Sequence, residues 1–169
     1  MRNCLAMIAR AIPKTGPRRC RLLYVEDHAD SVVLVDKLLA GRKDLLLLHA
    51  ADANAGIELA RTQRPDAILI NVDLPGISAL EFMKVLRADR ATEATPILAL
   101  GANASPKAIV KALEAGFFQY LTKPLRAEPF MEALAFALEF AAVERSERNP
   151  LLLRRPKRKG ILDGQTQRN

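Results

Sequence analysis

The sequence predicts an α/β domain built on a doubly wound parallel sheet. Three observations carry that expectation. Five short apolar runs alternate with five stretches of helical periodicity. Short connections join them, as in strand–helix–strand units with right-handed crossovers. The run Asp66-Ala67-Ile68-Leu69-Ile70-Asn71-Val72-Asp73-Leu74-Pro75-Gly76 shows no polar alternation and closes on Pro-Gly, the pattern of a strand buried on both faces.

Each element has its own signal. Arg21 to Val25 is an apolar run that stops at Glu26-Asp27 and reads as the first strand. Asp30 or Ser31 is suited to cap a helix running to Ala40, with Val32, Val33, Val35, Leu38 and Leu39 as its apolar face and Gly41 as its stop. Leu45 to His49 is the second strand, and Asp52 opens a helix to Gln63 carrying Ile57, Leu59 and Ala60. After the third strand, Ser78 starts a helix with Leu80, Phe82, Met83, Val85 and Leu86. Pro96 to Leu100 is the fourth strand, followed by Gly101-Ala102-Asn103-Ala104. Ser105-Pro106 places a capping hydroxyl and a proline at the start of a helix to Ala115, ended by Gly116. Phe117 to Leu121 is the fifth strand, Lys123-Pro124 follows, and a last helix runs from Glu128 to Glu147.

Composition bounds the classes. Half of the 169 residues are apolar, enough for one sizeable core. No run approaches the roughly 18 apolar residues of a membrane span, and no signal peptide is evident, so a cytoplasmic protein is expected. Cys4 and Cys20 lack metal-ligand spacing and read as reduced thiols. Charge is unevenly divided. Residues 1–21 hold six Lys or Arg and no acid, residues 150–169 hold six against one Asp, and residues 22–149 carry a net −4. The expectation is a basic, flexible segment over 1–20, a folded domain over 21–147, and a basic, disordered tail over 148–169.

The chemistry gathers at the carboxyl ends of the strands, where ligands of parallel sheets bind. The first strand delivers Glu26 and Asp27, the third Asn71 with Asp73 just beyond, the fourth Gly101, and the fifth Lys123. Adjacent carboxylates suit a hard cation such as Mg²⁺, and a lysine across the crevice suits an oxyanion.

With these motifs in place, the chain resembles the receiver domain of two-component response regulators from about residue 20 to 145. Leu22-Leu23-Tyr24-Val25-Glu26-Asp27 resembles the family's first strand and acidic pair. The stretch Asp66 to Gly76 resembles the phosphoacceptor strand and its turn; Pro96 to Ala104 resembles strand four. Gly116-Phe117-Phe118-Gln119-Tyr120-Leu121-Thr122-Lys123-Pro124 resembles strand five with its Lys-Pro. The resemblance implies a flavodoxin-like (βα)5 fold with strand order 2-1-3-4-5. It also implies phosphorelay signalling without enzymatic turnover. Asp27 matches the metal-ligating acid, Glu26 its neighbour, Lys123 the phosphoryl contact, and Tyr120 the aromatic whose rotamer reports activation.

Two positions depart from the pattern. Asn71 stands where the family has its phosphoacceptor Asp, and Gly101 where it has Ser or Thr. A carboxamide is a far weaker nucleophile than the carboxylate that forms an acyl phosphate. Losing its charge also weakens the metal site, by up to roughly 4 kcal/mol at about 4 Å and an effective dielectric near 20. Gly101 removes the hydroxyl that binds a phosphoryl oxygen. A pseudo-receiver is therefore expected, with no required cofactor and at most weak Mg²⁺ binding at Glu26 and Asp27. The plainer expectation for that pair is a structural remnant that caps a loop and pairs with Lys123, while Asn71 relieves like-charge repulsion among the acids. Asp73 as a displaced acceptor is the alternative for phosphotransfer. His28 and His49 show no ligand cluster and read as surface or loop residues.

Partners are expected to be proteins, a histidine kinase or another signalling component. The stripe Phe130, Leu134, Ala137, Leu138 and Ala141 is core, but Phe130, Met131, Phe136, Phe140 and Val143 extend the last helix's apolar character beyond one stripe. The surface of the fourth helix, fifth strand and fifth helix, with Lys107, Lys111, Tyr120 and Phe140, is expected to mediate homodimerisation or partner docking. Arg154-Arg155-Pro156-Lys157-Arg158-Lys159 reads first as a solvated solubilising tail; by charge alone it would also attract nucleic acid or anionic lipid, without interleaved aromatics or a helix-turn-helix pattern. A nucleic-acid-associated protein is thus the other class of function. No output-domain pattern follows the last helix, which favours a single-domain regulator or adaptor.

Overall fold

Strands form where β-branched and aliphatic residues run together, and helices where polar caps precede periodic apolar positions. The computed structural model describes residues 18–148. The elements run β1 (Cys20–Val25), α1 (Ala29–Leu39), β2 (Leu45–Ala50), α2 (Ala53–Gln63), β3 (Ala67–Asn71), α3 (Ala79–Arg87), β4 (Ile97–Gly101), α4 (Pro106–Glu114), β5 (Gln119–Thr122) and α5 (Ala127–Arg148). All neighbouring strands pair in parallel, in the order β2-β1-β3-β4-β5. This is the flavodoxin-like order that the resemblance implies. The basic segment and tail lie almost wholly outside the described residues, including Cys4 and the Arg154–Lys159 cluster.

Burial follows position in the sheet. Every residue of β3 and β4 is buried, whereas the edge strands β2 and β5 are only partly covered. Successive side chains along a strand point to opposite faces, and each face has its own core. Leu22, Tyr24, Leu69, Leu98 and Leu100 pack under α1 and α5 with Val35, Phe130 and Leu134. Leu23, Val25, Ile68, Ile70 and Ala99 pack under α2 and α3 with Ile57, Phe82 and Leu86. Close approach on that second face depends on Gly56, where an added Cβ would lie 2.9 Å from Val25 Cγ2 and 3.1 Å from Phe82 Cε2.

Helix starts follow their capping residues. Asp52 accepts from Ala55 N at 2.8 Å, Ser78 forms a capping box with Glu81, and Ser105 accepts from Ala108 N with Pro106 behind it. Helix α1 departs from expectation. Its cap position is His28, in extended conformation and with no side-chain cap bond, and Asp30 sits in the first turn instead of capping. The His28 ring is engaged by acids at the strand end, described below. Strand five also begins later than expected, at Gln119. Phe117 N still bonds Ala112 O and Phe118 N bonds Ile97 O, so the Phe pair completes the turn out of α4. Gly116, at φ +107°, supplies the left-handed residue of that turn.

The last helix is anchored at its far end. Asp66, 4% exposed, accepts from Arg21 N at 2.7 Å and pairs with Arg145 of α5. Of the excess apolar residues of α5, Phe130 is fully buried and Met131 packs on the core, whereas Phe136, Phe140 and Val143 are exposed.

Candidate functional site

The parallel sheet brings the expected residues together at one end. Asn71 is the last residue of β3, Gly101 the last of β4, and Glu26 follows β1 directly. Lys123 lies immediately after β5, before a cis bond to Pro124.

Asn71 is the hub. It is 2% exposed, and both ends of its carboxamide are used. Nδ2 donates to Glu26 Oε1 at 3.0 Å, while Oδ1 accepts from Lys123 Nζ at 2.8 Å and from Asp73 N at 3.0 Å. An amide placed between a carboxylate and an ammonium has one complementary orientation, with nitrogen toward the acid and oxygen toward the cation. The pairing of Lys123 with the acid pair is not what forms. Lys123 instead bonds Asn71 Oδ1 and pairs with Asp73 Oδ2 at 3.3 Å, because the carboxamide stands between the lysine and Glu26.

Glu26 is 1% exposed and accepts hydrogen bonds at both oxygens. Oε2 accepts from Tyr24 Oη at 2.9 Å, and Oε1 accepts from His28 N at 3.1 Å as well as from Asn71. Burial first, then the bond to Glu26, pushes the Tyr24 phenol far above its ordinary titration range. Sequence reasoning passed over Tyr24, although a phenol in an otherwise aliphatic buried run needs a polar partner. Strand alternation pointed to Glu26, two residues on.

Both histidines are exposed, as expected of surface residues, yet both reach the same corner, and His28 joins an acidic cluster there that its sequence neighbours alone did not announce. His28 Nδ1 lies 2.9 Å from Asp27 Oδ1 and 3.2 Å from Glu26 Oε1. His49 Nε2 lies 2.8 Å from Glu26 O, an oxygen that only accepts, so that nitrogen carries the proton. Parallel pairing of β1 with β2 sets His49 beside Tyr24, a proximity that sequence separation hides.

Glu26, Asp27 and His28 offer ligand atoms within 4.8 Å of one another. The donor set suits Mg²⁺ poorly. Glu26 Oε1 and the Asn71 oxygen each accept two protein N–H groups and Glu26 Oε2 accepts the Tyr24 hydroxyl, so within this cluster the exposed Asp27 carboxylate and an imidazole are the least committed donors where a hard cation needs several oxygens. Hydrogen bonds to Glu26 and then Asp27 raise the His28 pKa above its usual 6.5. A raised histidine pKa adds stability that is complete below the unfolded-state pKa and lost as pH rises through the folded-state one. An NMR titration of the His28 ring should therefore show a midpoint above 6.5, and Glu26→Gln should move it back toward that value. An unmoved midpoint in the variant would count against the contact.

At β4, Gly101 is filled from outside. A Cβ there would collide with the Tyr120 hydroxyl and lie 2.6 Å from Val72 Cγ2. Tyr120 Oη donates to Asn103 O at 2.9 Å, laying the ring over the bare glycine. Burial, then the Asp73 charge, raises the Tyr120 pKa. Ala102 N donates to Asp73 Oδ2 at 3.2 Å.

Away from the pocket, α4, β5 and α5 present an apolar surface. Val110, Leu113, Phe136, Phe140 and Val143 are 40–57% exposed, and Lys107 and Lys111 project beside them from α4. A groove of about 300 Å³ runs between Leu113, Tyr120, Pro129 and Phe136. Phe140 also packs on Phe118, ring centroids 5.4 Å apart.

Fold and strand-end motifs together define a class, and comparison with known proteins agrees. The model of the response regulator receiver domain matches residues 22–135, and the chain belongs to that family. It is a receiver domain of two-component signalling. It is 30% identical over 122 residues to the sensory/regulatory protein RpfC of Xanthomonas campestris pv. campestris, covering 70% of this chain and 16% of that protein. With the transcriptional regulatory protein AfsQ1 of Streptomyces coelicolor it shares 36% identity over 105 residues, 62% of this chain and 45% of that protein. The chain thus spans less than half the length of these curated relatives. Among solved structures, the chemotaxis protein CheY4 of Vibrio cholerae is similar at a TM-score of 0.65 and 27% identity, covering 71% of this chain and 99% of that one. The receiver domain of the sensor histidine kinase PA1611 of Pseudomonas aeruginosa is similar at 0.63 and 28%, covering 71% and 98%; that structure holds a magnesium ion in its active-site cleft. Among the described residues, no helix is long and apolar enough to cross a membrane.

Proposed function

We propose that this chain is a pseudo-receiver that signals through protein contacts, without accepting a phosphoryl group. The observation that carries the reading is the Asn71 carboxamide, with Nδ2 committed to Glu26 and Oδ1 to Lys123. Phosphotransfer to a receiver needs a carboxylate oxygen free to attack phosphorus, and residue 71 offers none. On this reading Asp73 is a fixed carboxylate in the turn after β3, its Oδ2 held by Lys123 and Ala102 N, and not the acceptor. Mg²⁺ binding is correspondingly weak, and no cofactor is required.

Intact-mass measurement after incubation with Mg²⁺ and a small acyl-phosphate donor tests this. The parent chain is expected to gain no phosphoryl mass, and Asn71→Asp to gain one group. Labelling of the parent would sink the reading, and mapping the label would decide whether Asp73 is the acceptor.

The output surface on this reading is the α4–β5–α5 face, which docks a two-component signalling protein or a second copy of the chain. Its support is the exposure of Leu113 on α4 and of Phe136, Phe140 and Val143 on α5, with Leu113 and Phe136 lining one groove. Sedimentation velocity of the parent against Phe136→Asp provides the check for self-association. A concentration-dependent dimer that Phe136→Asp dissolves is expected; a strictly monomeric parent removes the homodimer.

A further inference from the structure

We propose that Asp73 is a built-in anion that fills the oxyanion position of the pocket and ties its loops together. The proposal rests on the reading that residue 71 takes no phosphoryl group, and it says what replaces that group. Two donors from different strand ends converge on one oxygen: Lys123 Nζ, after β5, at 3.3 Å, and Ala102 N, after β4, at 3.2 Å, both to Asp73 Oδ2. An ammonium and a backbone N–H aimed at a single point form an anion site, and here the chain supplies the anion itself. The geometry of Asp73 is fixed at its own backbone, whose N–H donates to Asn71 Oδ1 at 3.0 Å. One carboxylate therefore links the segment after β3, the segment after β4 and the end of β5.

The same segment after β4 is held at two further points. Tyr120 Oη donates to Asn103 O at 2.9 Å, and Lys123 N donates to Gly101 O at 2.9 Å. The Asp73 contact at Ala102 lies between them in sequence, one residue from each. Losing it frees the middle of a short stretch whose next residue carries Tyr120, and Tyr120 lines the groove of the α4–β5–α5 face. Asp73 thereby couples the pocket to the apolar surface of α4, β5 and α5 with no added ligand. A free oxyanion binds at this point more weakly while the carboxylate is there, because Asp73 engages the Ala102 N–H and one Lys123 N–H and repels a second negative charge.

The test uses the full chain, with inorganic phosphate as the probe. Amide resonances of Ala102 and Asn103 and the ring resonances of Tyr120 are followed by NMR in the parent, Asp73→Asn and Asp73→Ala. In the parent, phosphate should leave all three unmoved. Asp73→Ala should shift the Ala102 amide and the Tyr120 ring, and phosphate should bind the variant at least about tenfold more tightly than the parent and return both toward their parent positions. Asp73→Asn keeps an acceptor oxygen without charge and should fall between the two. Unshifted Ala102 and Tyr120 resonances in Asp73→Ala, or equal phosphate affinity in parent and variant, would overturn the proposal. Far-UV circular dichroism checks that the variants are folded. A parent chain that ignores phosphate in this titration yet gains phosphoryl mass from an acyl phosphate at a residue other than 71 or 73 would defeat the pseudo-receiver reading while leaving the internal anion in place. The two failures are thus separable.

Discussion

Asn71→Asp is expected to lower stability by roughly 1–3 kcal/mol at neutral pH, although it restores the family's acceptor. The substitution changes one atom, and that atom is the donor to Glu26 Oε1 at 3.0 Å. An aspartate places a second acceptor against a carboxylate that is only 1% exposed, with like charges in contact. Lys123 offsets part of this, because its bond to Oδ1 becomes an ion pair. The sign of the pH dependence follows. The two acids would share a proton, raising one folded-state pKa, so the penalty shrinks in acid and grows as pH rises through that pKa. Mg²⁺ should return part of the lost stability to the variant by mass action and leave the parent unchanged. Urea unfolding of both chains over a range of pH, with and without Mg²⁺, measures all three effects. A variant as stable as the parent at neutral pH without metal would show that the Asn71–Glu26 bond contributes nothing.

Gly101→Thr should be comparably costly, roughly 1–3 kcal/mol from overpacking. The new Cβ would meet the Tyr120 hydroxyl and stand 2.6 Å from Val72 Cγ2, so the ring must leave and surrender its bond to Asn103 O. Restoring the hydroxyl of the family pattern at this one position therefore disrupts the pocket. The penalty belongs to the pair. Introduced into Tyr120→Ala, the same Gly101→Thr change should cost less, with a coupling of at least about 0.5 kcal/mol in a double-mutant cycle. Additive effects would mean that Tyr120 already spends its time elsewhere. Displacing Tyr120 also reshapes the groove beside Leu113, Pro129 and Phe136, so partner or self-association at that face should change with it.

Much of this was legible in the amino-acid order. Continuous aliphatic runs fixed which segments are strands, and the fully buried pattern of Ala67 to Asn71 matches a central strand of a parallel sheet. Asp52, Ser78 and Ser105 announced three helices because a short polar side chain before an apolar period satisfies free N–H groups. Sequence alone places the start of β5 two residues too early, since Phe117 and Phe118 have strand propensity while the Phe117 N–H closes the turn from α4 and the Phe118 N–H reaches Ile97.

By itself, then, the sequence determined the alternation of elements, the set of residues at the strand ends, and the two departures from the family pattern, Asn71 and Gly101. These are local facts, written in spacing and residue type. Only the tertiary structure decided who bonds to whom. Lys123 turned to Asn71 and Asp73 instead of the acid pair, Tyr24 and both histidines closed around Glu26, and Tyr120 filled the space over Gly101. Each depends on partners 2 to 52 residues apart whose donors and acceptors compete at distances near 3 Å. Sequence spacing brings such groups to the same end of a sheet, and packing and hydrogen-bond complementarity then choose among them.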